Sequence, residues 1–159
     1  MKKVKYSPGS VVRIPLKSGQ HTYGRVLLEG YLEVFDAKSG DDVQDFNRVV
    51  LRPKLFTVSL YDSVFKKAVW EKTGFVELDE ESRKLPLSFM QNIVDPSDCT
   101  IVDFWGNDTP ATIDECRGLE KLTIWSAECV EERLNAYYEG RIDPGTYNKR
   151  LREVGESYP

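Results

Sequence analysis

The alternation of apolar and polar positions is clearest near the start of the chain. Val12, Ile14 and Leu16 fall on every second residue, the period of a strand with one buried face. The polar stretch 17–20, with Gly19 in it, separates them from a second alternating run. There Gly24, Val26 and Leu28 share one face, and Tyr23, Arg25 and Leu27 the other. Glu29-Gly30 reads as a tight turn into a third run, Tyr31, Leu32, Glu33, Val34 and Phe35. Pro8-Gly9 opens the unit as a turn, because proline presets its own φ and glycine accepts a positive one. Three strands in a meander are the smallest β unit expected to hold together. Pro15 cannot donate to a ladder, so its strand is expected at an edge or carrying a bulge. Gly24, in mid-strand, predicts a corner in a strongly curled sheet, a reading preferred over a ligand lying against the bend.

Further on, 36–47 is polar and predicts a loop, and Pro53 cuts short the apolar Val49, Val50 and Leu51. Residues 55–60 are rich in β formers and predict a central strand. Val64, Phe65, Ala68 and Val69 recur at helical spacing behind a cap at Asp62 or Ser63, with a stop at Gly74. Phe75, Val76 and Leu78 suggest a short strand, and 85–98, with two prolines, an irregular stretch. A strand is expected over 100–105, then a turn at Gly106-Asn107-Asp108. Thr112 and Glu115 fit a capping box for a short helix that Gly118 stops. After a last strand over 122–125, Ser126 caps the best helix, with Val130, Leu134, Tyr137 and Tyr138 as its buried stripe and Gly140 as its end. Asp143-Pro144 starts a final helix presenting Tyr147, Leu151 and Val154. The fold class is therefore α+β: a mainly antiparallel sheet built first, with short helices and two C-terminal helices packed against it.

Composition narrows the function classes. The 159 residues suit one domain, 1–159, whose last 15–20 residues form a helical extension. Twenty-six acidic residues against 22 basic ones give a net charge of −4, which argues against a broad basic face for nucleic acid. No apolar run approaches a membrane span and no signal peptide opens the chain, so a cytoplasmic protein without a membrane partner is expected. Three cysteines, an odd number, are expected to be reduced.

Candidate chemistry is sparse. His21, the single histidine, could pair with Cys99, Cys116 or Cys129 as a nucleophile and base, but buried cysteine is the preferred reading. No Cys-x-x-Cys pair, phosphate loop or nucleophile elbow is present, so no metal, cofactor or catalytic residue is expected and the chain reads as a non-enzyme. Acidic residues gather at Asp41 and Asp42, at Glu77, Asp79, Glu80 and Glu81, and on either side of Trp105 as Asp103 and Asp108. A further run, Glu128, Glu131 and Glu132, already has a structural use at a helix N-terminus. The other carboxylates are candidate contacts for a basic partner.

The sequence resembles the immunity protein 26 family, found beside bacterial polymorphic toxins. The resemblance is carried by Tyr6-x-Pro8-Gly9, Ile14-Pro15-Leu16, Gly19, Tyr23-Gly24-Arg25-Val26 and Phe56-Thr57-Val58. It returns in Pro110-Ala111-Thr112, Glu115-Cys116, Gly118-Leu119-Glu120, Trp125 and Val130-Glu131-x-Arg133-Leu134, with weaker agreement over 83–108. Family members often have Asp-Gly where this chain has Ser18-Gly19, and proline where it has Ile113. The resemblance implies a cytoplasmic, non-catalytic protein that binds a toxin domain and blocks it. Because Pro8, Gly9, Ile14, Pro15, Gly19, Tyr23, Gly24, Arg25, Trp125 and Leu134 match the family and are mostly glycine, proline, apolar or aromatic, we read them as fold determinants. Toxin contacts are then expected among the acidic residues named above, with a basic nuclease cleft as one target and a monomer as the state of the chain. A second reading is a small β-barrel-like module binding peptide or nucleic acid through exposed Tyr23, Arg25 and Tyr31.

Overall fold

The computed structural model describes residues 5–156. They form two compact units, one of residues 5–84 with 124–141 and one of 85–123 with 142–156. The class is α+β, and both sheets are open and mixed, mostly antiparallel.

In the larger unit the predicted meander is present as β1 (Ser10–Pro15), β2 (His21–Val26) and β3 (Tyr31–Ser39), paired antiparallel in that order. A single turn of 3-10 helix, Leu28–Gly30, joins β2 to β3, with Glu29 and Gly30 both at positive φ. After α1 (Phe46–Val49) come β4 (Lys54–Leu60), α2 (Asp62–Lys67) and β5 (Glu71–Phe75). The chain then builds the smaller unit: β6 (Ser88–Gln91), β7 (Cys99–Val102), β8 (Asp108–Ala111), α3 (Ile113–Cys116) and β9 (Glu120–Lys121). It returns to the larger unit with β10 (Ile124–Trp125) and α4 (Ala127–Tyr138), and α5 (Pro144–Asn148) belongs to the smaller one.

The larger sheet runs β10-β4-β3-β2-β1-β5 and does not close on itself, so the expected strong curl is overstated. Both its faces are covered. Val12, Ile14, Val26, Leu32, Val34, Phe56 and Val58 meet Val130 and Leu134 of α4 together with Trp125. On the opposite face Val11, Tyr23 and Phe35 meet Val49 of α1. Strand β1 is thus buried on two sides, whereas its alternation predicted one, because β5 and α1 arrive from distant sequence. Pro15 ends a strand that is interior to the sheet, but the β1–β5 pairing stops at Arg13, so the missing amide hydrogen breaks no bond to β5. Gly24 lies against β3, where a Cβ would come within 3.0 Å of Leu32 Cδ1 and 3.1 Å of the Glu33 carbonyl oxygen.

Two expected boundaries move. Helix α2 ends at Ala68, which takes a left-handed conformation at φ 45°, and Gly74 lies inside β5. Glycine is needed there because the Phe46 ring of α1 occupies the space a Cβ would take. The strand expected over 122–125 shortens to β10, and β9, which ends just before it at Lys121, belongs to the other sheet.

Gly9 joins three strand ends. Its amide donates to the Val26 carbonyl at 2.8 Å, its carbonyl accepts from Val76 at 2.9 Å, and its φ is 99°. An added Cβ would stand 2.7 Å from the Phe75 ring and 2.9 Å from the Val76 carbonyl oxygen. Gly9→Ala is therefore expected to cost about 2–3 kcal/mol from backbone strain and overlap together, read as a lower urea midpoint at unchanged m-value. A loss under about 0.5 kcal/mol would show that this corner is free to move.

Helix α4 begins at Ser126, whose hydroxyl accepts from the Cys129 amide, and Gly140 follows it at φ 75°. Asn135 sits inside this helix, buried, and its side-chain oxygen accepts from the Lys17 amide at 2.9 Å, tying the β1–β2 turn to the helix.

The smaller sheet runs β8-β7-β6-β9, with Pro110 on the edge strand β8 as its missing donor requires. Phe89, Cys99 and Cys116 form its core, with Ile101, Ile113 and Leu151 packed around them. Thr112 and Glu115 close the capping box of α3, and Asp143 caps α5, which has Pro144 at its start. Helix α5 is shorter than the spacing of Tyr147, Leu151 and Val154 predicts. It stops at Asn148, Leu151 continues into the core, and Val154 is exposed. Past the helix the chain is pinned instead by Gln91, whose amide group bonds the Arg152 backbone twice, at 2.8 and 2.9 Å.

Candidate functional site

The acidic candidates divide into carboxylates with structural tasks and carboxylates without them. In the loop after β3, Asp42 accepts from Arg13 at 2.8 Å, and the same guanidinium pairs with Glu71. Asp41 beside it is exposed, and only its backbone is used, bonded to the Ser39 hydroxyl. After β5, Glu77 lies 3.6 Å from Arg83 and Glu81 2.8 Å from Lys84. Asp79 accepts from the Ser82 amide at 2.8 Å and the Ser82 hydroxyl at 2.7 Å. The bond from the Ser82 amide, with that from its hydroxyl, holds the Asp79 carboxyl below the usual carboxylate range. Among the described residues, the carboxylates of Asp41, Glu80 and Asp108 have no hydrogen bond or ion pair.

In the smaller unit Asp103 closes the turn between β7 and β8. Its two oxygens accept from the Asn107 side-chain amide and backbone amide, each at 2.9 Å. Its carboxyl is held low, chiefly by the Asn107 side chain. Asp108 begins β8 opposite Val102 and is exposed. The turn between them presents Phe104 and Trp105, which the hydrophobic pattern alone assigned to a strand. On α4, burial pushes the Glu131 carboxyl up.

Two footings of the rival readings fall away. Tyr23, Arg25 and Tyr31 are buried, so they offer no exposed face to a peptide or nucleic acid, and neither sheet is a barrel. The burial of Tyr23 follows from the second layer on that sheet face, a long-range packing that alternation within one strand does not contain. Arg25 instead forms a buried pair with Glu33, directly across from it on β3. His21 is also buried, its Nε2 2.9 Å from the Tyr23 hydroxyl. Cys99 and Cys116 lie together in the smaller core, where burial first and then the neighbouring Cys99 push the Cys116 thiol up. A thiol shifted in that direction is a weak nucleophile at neutral pH. Cys129, on α4, packs against the main core.

Among the surface clefts of the described residues, two are lined as follows. One, of about 400 Å³, lies between Tyr6, Pro8, Leu27, Glu29 and Phe65. The Tyr6 hydroxyl at its edge bonds both the amide and the carbonyl of Trp70, and burial raises its pKa to about 12. The other, of about 370 Å³, lies between Ala111, Ile113, Arg117 and Glu153, with Arg117 and Glu153 paired across it.

Residues 7–100 match the family described as Immunity protein 26, and the chain belongs to that family. The resemblance read in 110–134 lies beyond the matched stretch. No curated protein and no solved structure matches the chain. Membership implies a toxin protein as partner and a role that is generally non-enzymatic. Among the described residues, no helix is long and apolar enough to cross a membrane.

Proposed function

We propose that this protein binds the toxin domain produced with it and blocks that domain by covering its active or substrate-binding surface. The family match over 7–100 carries the reading. Blocking by occlusion requires a pre-formed, complementary surface rather than chemistry. The net charge of −4 and the acidic loops favour a basic target, such as a nuclease cleft. Asp79 and Asp103 are fixed by their own loops and Asp42 by Arg13 of β1, so they would meet the toxin with little loss of side-chain freedom. Asp41, Glu80 with its neighbours Glu77 and Glu81, and Asp108 on the smaller unit each supply charge that a toxin lysine or arginine can pair with. The protein works in the cytoplasm as a monomer and without a cofactor, both units serving one immunity domain.

The test is calorimetric titration with the C-terminal domain of the toxin encoded beside it, made as an inactive variant. One-to-one binding at about nanomolar affinity or tighter is expected, weakening with added salt. Asp41→Lys with Glu80→Lys, which spares the loop caps, should weaken it at least about tenfold, chiefly through slower association. Absence of binding would overturn the immunity reading, and binding indifferent to salt and to both reversals would overturn the acidic contact.

A further inference from the structure

Of the three tryptophans, Trp70 and Trp125 are buried at 3% and 2% exposure, whereas Trp105 is 73% exposed. It stands at the tip of the β7–β8 hairpin, with Phe104 edge-on to it at 5.0 Å and 82°. The Trp105 ring does not make the turn. The turn is made by Asp103, whose carboxylate takes both Asn107 donors, by two backbone bonds (Asp103 amide to Asn107 carbonyl and Gly106 amide to Asp103 carbonyl), and by Gly106 at φ 84°. Nor does Trp105 serve the core of its unit, which is built from Phe89, Cys99 and Cys116. A large indole in water gives up the burial that usually stabilises it, so the position is unexplained by folding.

Resting on the immunity reading, we propose that this hairpin tip is the anchor of the complex. Trp105 would enter an apolar slot on the toxin domain whose rim carries lysine or arginine. Tryptophan is the side chain most enriched among residues that dominate interface energy, and it contributes most when it is ordered before binding. Here the loop is already closed by four hydrogen bonds and the ring already leans on Phe104. The basic rim follows from charge complementarity: Asp103 and Asp108 flank the tip, Asp108 with no partner among the described residues. The tip also lies outside residues 7–100, the stretch that matches the family, so it is placed to discriminate one toxin from another rather than to maintain the shared fold.

The experiment follows Trp105 in the intact protein mixed with the inactivated neighbouring toxin domain, using a tryptophan-free version of that domain or subtracting its signal. In the free protein acrylamide should quench chiefly Trp105, since the other two indoles are buried. On complex formation the emission should shift to the blue and the quenching should fall several-fold. Trp105→Ala should weaken binding about 100-fold, mostly by faster dissociation, while leaving the thermal midpoint within about 2 °C. Trp105→Phe should keep part of the affinity. A complex in which Trp105 stays fully quenchable, or Trp105→Ala binding within about threefold of the parent, overturns the anchor and leaves the immunity reading standing. A parent protein that does not bind overturns both. Should the alanine variant misfold, the quenching of the parent complex decides alone.

Discussion

Glu33→Ala is expected to cost about 3–5 kcal/mol of folding stability, more than any other charged substitution in the chain. Glu33 is 1% exposed, and Arg25, across from it on the neighbouring strand, is 5% exposed. One carboxylate oxygen takes two guanidinium bonds, at 2.8 and 2.7 Å, and the other takes the Lys54 ammonium at 3.0 Å. Removing the acid leaves a buried guanidinium with the distant Glu77 carbonyl, at 3.5 Å, and the remoter charge of Asp79, so most of its desolvation goes uncompensated. Domains of this size are stable by about 5–15 kcal/mol in all, so the variant should lie close to unfolding at 37 °C. The double change Arg25→Met with Glu33→Met should recover most of the loss, because a buried pair is worth little more than well-packed apolar groups. Urea melts of the three proteins read this directly. A loss under about 1 kcal/mol for Glu33→Ala would mean that water reaches the pair.

Trp125→Ala should cost a similar amount, about 3–5 kcal/mol, by a different route. The indole is 2% exposed and stacks on Phe56 at 6.5 Å and 19°, and the Arg133 guanidinium lies 3.9 Å from the Phe56 ring centre and 5.1 Å from that of Trp125. Truncation opens a cavity between β4 and α4 and removes a ring that faces the cation. Trp125→Phe should keep more than half of the stability, since it fills most of the volume and preserves an aromatic face. The result bears on the limits of the fold as well. Trp125 and α4 follow the stretch that matches the family, yet they complete the core of the larger unit. If Trp125→Ala left the urea midpoint unchanged, the strands of that unit would be stable without their C-terminal helix.

Local rules were readable where a few neighbouring residues determine the outcome. The capping box at Thr112 and Glu115, the Ser126 and Asp143 caps, the turn at Gly30 and the glycines after α3 and α4 all concern hydrogen bonds or φ values within one turn of chain. Asp103 shows the limit of such reading. The pattern placed it in a strand, whereas in the structure it closes the turn with both oxygens committed to Asn107, which separates it from Asp108 across that turn. That distinction turns acidic residues that look alike in sequence into loop fasteners in one case and available charge in the other.

By itself, then, the sequence determined the α+β class, the meander of β1 to β3, the caps of α3, α4 and α5 (though not that of α2, which starts after Tyr61 with no side-chain cap) and the family, because these depend on short-range periodicity, capping chemistry and an ordered set of matching residues. Only the tertiary structure decided which strand faces are covered. It buried Tyr23, Arg25 and Tyr31, placed Gly74 against Phe46, sent β9 and β10 to different sheets and left Trp105 in water. Burial is a property of what arrives from elsewhere in the chain, and no window of neighbouring residues contains it.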